Sequence, residues 1–200
     1  MRATAVFLLF LLALLTVALH RAAGHGDAAP PPDDLRLTTI AHELAHRDVH
    51  VRCEGSGGSL TGVDGESGRT LFVDGKPADT TFLREGVCER LHAYSQLTKT
   101  GLECVLPCDG SALETAWSLN ALAHESYHLA GVRNEARTEC YALQAIDFVA
   151  QRLGASTEQA RQLAIFAFAE LPPRMPAAYT SPDCRDGGEL DLRPESAVWP

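Results

Sequence analysis

The chain has 200 residues, of which 46% are hydrophobic, 22% charged and 6% aromatic. These values are typical of one globular domain with appendages, and they exclude a disordered chain, a collagen and a low-complexity fibre. The formal charge is −9, from 26 acidic and 17 basic residues, and no run of basic residues occurs. An acidic chain without a basic patch argues against a nucleic-acid partner.

An apolar segment near the N-terminus predicts export. Residues 6–19 follow Arg2 and are apolar except for Thr16, which matches the hydrophobic region of a signal peptide and is short for a membrane span. Small residues just before position 25 fit a cleavage site, so we expect residues 1–24 to be a signal peptide or an uncleaved membrane anchor. The remaining chain would be secreted or anchored to the outer face of the cytoplasmic membrane, with membrane contact only through this segment.

The cysteines are consistent with an oxidising compartment. Their number is even in a chain expected to be exported, which predicts disulfides, and the absence of a C-x-x-C motif argues against a structural zinc site. Cys104 and Cys108 could close a small loop, and Cys184 could tie the C-terminal tail to the helix that carries Cys140. We expect three disulfides among the six cysteines, which are Cys53, Cys88, Cys104, Cys108, Cys140 and Cys184.

Turn residues and hydrophobic periodicity divide the first half of the chain into short elements. Apolar residues recur every three or four positions in two segments and alternate with polar residues at 49–53. Asp34 fits an N-cap, and Asp74-Gly75 fits a turn after the second strand. The predicted elements are a flexible Pro-rich linker at 25–34, a helix at 35–47, a strand at 49–53, a loop at 55–68, a strand at 70–73 and a helix at 81–97.

The second half has clearer helix boundaries. Ser111 and Glu114 form the pattern of a capping box, and Gly131 fits a left-handed helix end. Asn134 fits the N-cap of the next helix, and Gly154 its end. The predicted elements are helices at 112–130, 135–153 and 157–170, followed by an irregular tail.

These elements predict an α+β fold that is mostly helical, with a small N-terminal β-sheet. We expect a single domain at 35–200, with a helical metal-binding core at 110–171 and the tail at 172–200.

The helix predicted at 112–130 carries an HExxH motif, formed by His124, Glu125 and His128. Two histidines four residues apart lie on one face of a helix, so both rings can reach a single Zn²⁺ at about 2.0–2.1 Å. The glutamate between them would lie beside the metal, where it can accept a proton from water and donate one to a leaving amine.

A carboxylate from the following helix is the expected third ligand. Glu135 and Glu139 are four residues apart and therefore face the same way. One would bind the metal, and the other would hold a ligand histidine through the free N–H of its ring. The hairpin geometry alone leaves both assignments open.

The order HExxH, then Glu-x-x-small-acid-x-x-Ala, resembles the gluzincin type of zinc metallopeptidase (a zincin). The stretch 135–142 is most similar to a segment of the neutral zinc metallopeptidases, and the resemblance covers residues 124–142. It implies a zincin-like domain in which an antiparallel helix follows the HExxH helix. It also implies His124, His128 and Glu135 as zinc ligands, Glu125 as the catalytic residue and Glu139 as the residue that orients a ligand. The Gly131 spacing is also close to that of the metzincins, although Asn134 stands where their third histidine does.

A second HExxH motif lies at residues 42–46, with His50 one turn further along. Its helix is short, follows the linker and precedes a strand, and no acidic hairpin comes after it. We therefore interpret this copy as the polar face of an amphipathic helix.

The sequence predicts an exported zinc metallopeptidase that hydrolyses peptide bonds in a peptide or protein substrate. The alternative is an exported domain that binds a metal or a protein without catalysis. Tyr127 and Tyr141 flank the motif and are expected to pack, with oxyanion stabilisation as a second possibility. Trp117 is expected to pack behind the metal-binding helix.

Overall fold

The computed structural model describes residues 31–54, 67–100, 106–107 and 110–200. The predicted signal or anchor segment, most of the linker and of the 55–68 loop, and the Cys104 and Cys108 pair lie outside these residues. The described chain contains six α-helices and three β-strands, so the predicted mostly helical α+β fold is confirmed. No helix among the described residues is long and apolar enough to cross a membrane.

The elements form one folded unit that begins at residue 31. In chain order they are α1 (Leu35–Ala45), β1 (His50–Glu54), β2 (Gly68–Val73), β3 (Lys76–Arg84), α2 (Glu85–Thr100), α3 (Ala112–Leu129), α4 (Glu135–Gln144), α5 (Ile146–Arg152) and α6 (Thr157–Glu170), followed by 3₁₀ turns at Pro172–Arg174 and Ala177–Tyr179.

The predicted linker ends earlier than residue 34. Asp33 forms a β-bridge with Arg52 and an ion pair with its guanidinium, with Oδ1 2.7 Å from Nε. Asp34 caps α1 as expected, because its Oδ1 accepts from the amides of Arg36 (3.1 Å) and Leu37 (3.0 Å). These contacts make the last residues of the predicted linker part of the domain.

The sheet has the strand order β1-β3-β2, with β1 parallel and β2 antiparallel to β3. The prediction of a helix at 81–97 was wrong at its start, because 76–84 form β3 and the helix begins at Glu85. The Asp74-Gly75 turn closes the β2–β3 hairpin with φ values of 50° and 77°. The pairing with β1 and β2 therefore keeps Leu83 in a strand, although its spacing also fits a helix.

Helix α3 is the centre of the domain and packs against the sheet and every other helix. It is buried on most of its surface, which is typical of a helix surrounded by other elements. Several of its apolar residues, including Leu119 and Leu122, are fully buried in the core. The predicted capping box at Ser111 is wrong: Ser111 has ψ 12°, whereas an N-cap needs extended backbone, and its side chain makes no capping hydrogen bond.

The predicted helix at 135–153 is two helices, which meet at Ala145. The tail explains the break. The carbonyl of Gln144 accepts from the Arg193 guanidinium at 3.0 Å, and the amide of Phe148 donates to Asp147 Oδ1 at 2.7 Å. Side chains thus satisfy backbone groups that one continuous helix would pair with each other.

Among the described residues, two disulfides join parts of the domain that are distant in sequence. Cys53 in β1 pairs with Cys88 in α2, and Cys140 in α4 pairs with Cys184 in the tail, which confirms the predicted link between those last two. Disulfides of this kind are typical of proteins that reside in an oxidising, extracellular environment.

Candidate metal centre

Helix α3 presents Asn120, His124 and His128 along one face, one turn apart. The ring centroids of the two histidines lie 4.6 Å from each other. After α3 the chain reverses at Gly131, which has φ 100°, and Asn134 caps α4 by accepting from the Arg137 amide at 2.9 Å. The helix spacing and this turn bring the start of α4 to the histidines.

The Glu135 carboxylate faces both histidine rings. Its Oε2 lies 3.2 Å from His124 Nε2 and 3.3 Å from His128 Nε2. The three side chains offer one ligand atom each, all within 4.8 Å of one another, so the group could hold a metal ion. Two imidazole nitrogens and one glutamate oxygen are also a donor set used by catalytic zinc sites.

Separate acceptors hold the opposite nitrogens of the two rings. His124 Nδ1 lies 2.8 Å from Glu139 Oε2, and His128 Nδ1 lies 2.7 Å from the carbonyl oxygen of Val132. A carboxylate and a carbonyl can only accept, so each Nδ1 carries the proton. Each Nε2 is then the ring nitrogen left to bind a metal ion on the side of Glu135.

The two carboxylates of α4 differ in burial and in contacts. Glu139 is 3% exposed and accepts a second hydrogen bond from Asn120 Nδ2, at 2.8 Å from its Oε1. The Glu135 side chain is 39% exposed, and its polar contacts are with the two Nε2 atoms. The structure therefore separates two residues that the hairpin geometry left equivalent.

The electrostatics of the site favour a positive charge between His124 and α4. Burial opposes a charge on His124, but hydrogen bonds to Glu135 and Glu139 outweigh it and raise the pKa of His124 to about 10. The same contact with His124 holds the pKa of Glu135 below its ordinary value. A divalent cation would satisfy the charge balance that a proton satisfies here.

Glu125 is buried between α3 and the sheet and also lines the cleft. Burial raises the pKa of its carboxyl group, against the opposing effect of the His124 charge and the Thr70 hydrogen bond. The Thr70 and Thr81 hydroxyl oxygens lie 2.7 Å and 3.2 Å from its Oε2. The sequence motif identified Glu125 but not these two threonines, which come from the β2–β3 hairpin.

A cleft of about 550 Å³ opens over the histidines. The start of β2, helix α3 and the tail after α6 line it. Tyr179 from the tail lies over His124, with ring centroids 5.8 Å apart. Trp117 packs against the hydrophobic core, as a packing role predicts, and it also lines the wall of the cleft. The rings of Tyr127 and Tyr141 pack against each other, with centroids 5.4 Å apart, and neither residue lines the cleft, which agrees with a packing role.

Asn120 and Tyr179 are site residues that the sequence interpretation did not include. Asn120 lies four residues before His124, so the helix period could have placed it on the same face. The sequence signal for Tyr179 was weaker: it lies five residues before Cys184, whose expected disulfide with Cys140 would bring this part of the tail close to α4.

The first HExxH motif, at residues 42–46, forms no comparable group. Glu43 pairs with Arg152 at 2.5 Å, and the last residue of the motif ends α1 with φ 53°. His50 pairs instead with Asp33, at 2.7 Å. In the described part of the chain, the group around His124 is the one cluster whose ligand atoms converge.

Comparison of the chain with protein-family models, with curated proteins and with solved structures found no match.

Proposed function

We propose that this protein is an exported zinc-dependent metallopeptidase. One observation carries the proposal: the Nε2 atoms of His124 and His128 both face Glu135, while hydrogen bonds hold both Nδ1 atoms from behind. Rings that are oriented before a metal arrives are what a catalytic metal site needs. The resemblance of residues 124–142 to gluzincin metallopeptidases supports the same assignment.

Three residues would hold the metal, and Glu139 would keep the His124 ring in place. When bound, a zinc ion polarises a carbonyl and makes water a stronger nucleophile at neutral pH. The cleft leaves room above the histidines for a peptide segment. The proposed ligands are His124, His128 and Glu135.

Glu125 would move the protons of the reaction. It accepts a proton as the oxygen of a water molecule attacks the carbonyl carbon of the peptide, and then donates a proton to the amide nitrogen. The C–N bond breaks, and a carboxylate and an amine leave. A buried carboxyl group beside the reacting atoms suits this task, because burial raises its pKa above the ordinary value and so favours the uptake of a proton.

The test measures metal content and peptide cleavage on the same purified samples. Wild type and Glu125→Gln are loaded with zinc, desalted and analysed by plasma mass spectrometry, and both are then incubated with a peptide library. We expect about one zinc ion per chain in both proteins and, in Glu125→Gln, cleavage lower by a factor of about 100 or more. His128→Ala should lose zinc, whereas Glu158→Gln, at an exposed glutamate of α6, should match wild type.

Two results would reject the proposal in different ways. Zinc without cleavage in wild type would favour the alternative of a metal-binding domain without catalysis. Wild type that retains no zinc would reject the metal site, and with it the metallopeptidase.

A further inference from the structure

The β2–β3 hairpin contacts the Glu125 side chain through two threonine hydroxyl groups. Thr70 and Thr81 are direct partners across the two strands, with their hydroxyl oxygens 2.9 Å apart. Both hydroxyl oxygens lie within hydrogen-bond distance of the same carboxylate oxygen of Glu125, which is Oε2. Two elements that are far apart in sequence therefore meet at one atom.

The two threonines differ as hydrogen-bond donors to Glu125, because each hydroxyl group has a single proton. Each hydroxyl group donates one hydrogen bond. Thr70 has its shortest contact, 2.7 Å, with Glu125 Oε2, whereas Thr81 has its shortest contact, 2.8 Å, with the carbonyl oxygen of Arg69. Thr70 is thus the main donor to Glu125, and Thr81, which is fully buried and donates to Arg69, packs against Thr70 from the neighbouring strand.

Gly68 provides the space for this arrangement. A Cβ atom at this position would lie 2.8 Å from Glu125 Cγ and 2.7 Å from Leu83 Cδ2, closer than such atoms approach in real structures. The backbone of β2 therefore passes against the Glu125 side chain with no room for a larger residue. The close passage limits the positions that the carboxylate can occupy.

The two oxygens of Glu125 differ in their contacts. Oε2 has the threonine hydroxyls, whereas Oε1 has no hydrogen bond from the described residues. Glu125 lines the cleft, and Thr70 lines it beside Glu125. The carboxylate is therefore anchored through one oxygen and has the other available.

We propose that Thr70, supported by Thr81 and by the space at Gly68, is a positioning residue that anchors Glu125 through Oε2 and leaves Oε1 to exchange protons with the substrate. This inference rests on the proposed peptidase function. Misplacing a catalytic group by about 1 Å can lower a rate about a hundredfold. The anchor therefore acts on the chemical step more than on substrate binding.

The experiment compares threonine with valine, which has nearly the same shape but no hydroxyl group, and with serine, which keeps the hydroxyl group. Thr70→Val removes the hydroxyl, and Thr70→Ser retains it. Thr80→Val is the matched control, because Thr80 is next to Thr81 in β3 and its hydroxyl group donates to Asp79, not to Glu125. The full chain carries each change, and zinc content and melting temperature are measured for each variant together with kcat and KM.

We expect Thr70→Val to lower kcat about ten- to a hundredfold while KM stays within about threefold. Zinc content should not change, Thr70→Ser should recover most of kcat, and Thr80→Val should match wild type. Thr81→Val should have a smaller effect than Thr70→Val. Equal kcat in Thr70→Val and wild type, or no recovery with serine, would overturn the inference.

A crystal structure tests the anchor independently of peptidase activity. In Thr70→Val the Glu125 carboxylate should move or occupy more than one rotamer, and in Thr70→Ser it should stay in place. An unmoved carboxylate in Thr70→Val would overturn the anchor even in an active enzyme. A moved carboxylate in a protein that cleaves no peptide would support the anchor and reject the proposed function.

Discussion

Replacing Glu139 with glutamine tests how the ligand His124 is held. Glu139 accepts one hydrogen bond on each oxygen, from His124 Nδ1–H and from the Asn120 amide, both at 2.8 Å. A glutamine of the same size has an NH₂ group in place of one acceptor oxygen, which faces a donor unless the Asn120 amide turns its unpaired Oδ1 towards it. The His124 ring loses the negative charge behind it in either case, and it also loses its orientation where the NH₂ group faces Nδ1.

The size of the effect follows from the burial of this residue. Glu139 is 3% exposed, so water does not replace the lost contact. Hydrogen bonds to charged groups contribute about 1.5–3 kcal/mol, and residues behind a metal ligand typically change metal affinity about 10- to 100-fold. A tenfold change is about 1.4 kcal/mol, so the two estimates agree. We expect zinc to bind Glu139→Gln about 10- to 100-fold more weakly.

The assay is a competition titration against a chromophoric chelator at constant pH. Glu158→Gln is the control, because Glu158 is an exposed glutamate that pairs with Arg161 in α6. Circular dichroism verifies that each protein is folded under the titration conditions. A zinc affinity of Glu139→Gln within twofold of wild type would refute the idea that Glu139 orients His124.

Three further predictions concern the tail, the first HExxH motif and acid stability. Replacing Cys140 and Cys184 with serine opens a disulfide with a sequence separation of 44, and should lower the free energy of unfolding by about 4 kcal/mol in the chain-entropy model; urea denaturation measures this, and no change in midpoint would contradict it. His42→Ala should keep the wild-type zinc content, and a loss of zinc would place a metal at residues 42–46. The pKa of Asp33 is lowered by its hydrogen bond to Arg52. The ionised carboxylate therefore stabilises the fold above its unfolded pKa, and this stabilisation is lost as the pH falls through its folded pKa. Asp33→Asn should reduce the loss of stability in acid, and urea midpoints with the same pH dependence as wild type would contradict this.

Local signals in the sequence predicted the helices that form the site. The spacing of His124 and His128, the cap at Asn134 and the turn at Gly131 act over a few residues, so they can be interpreted without knowing the fold. The helix predicted at 157–170 has the observed bounds. The residues that begin and end it are its neighbours in the sequence, so they too can be interpreted without knowing the fold.

The predicted helix bounds were wrong where a distant segment forms hydrogen bonds with the backbone. Strand β3 contains Leu83 at a helical spacing, but pairing with β1 and β2 keeps it extended. The helix after Asn134 breaks at Ala145 because Arg193, from the tail, donates a hydrogen bond to the carbonyl oxygen of Gln144. A helical period cannot reveal such partners.

The sequence by itself determined that two imidazoles share one helix face and that acidic residues follow on the next helix. Only the tertiary structure decided that Glu135 faces both Nε2 atoms while Glu139 lies behind His124, because this depends on how α4 is rotated against α3. It also decided that Thr70 contacts Glu125, 55 residues away. Residue spacing defines directions within one helix, whereas the side chains that meet between elements depend on how the core packs.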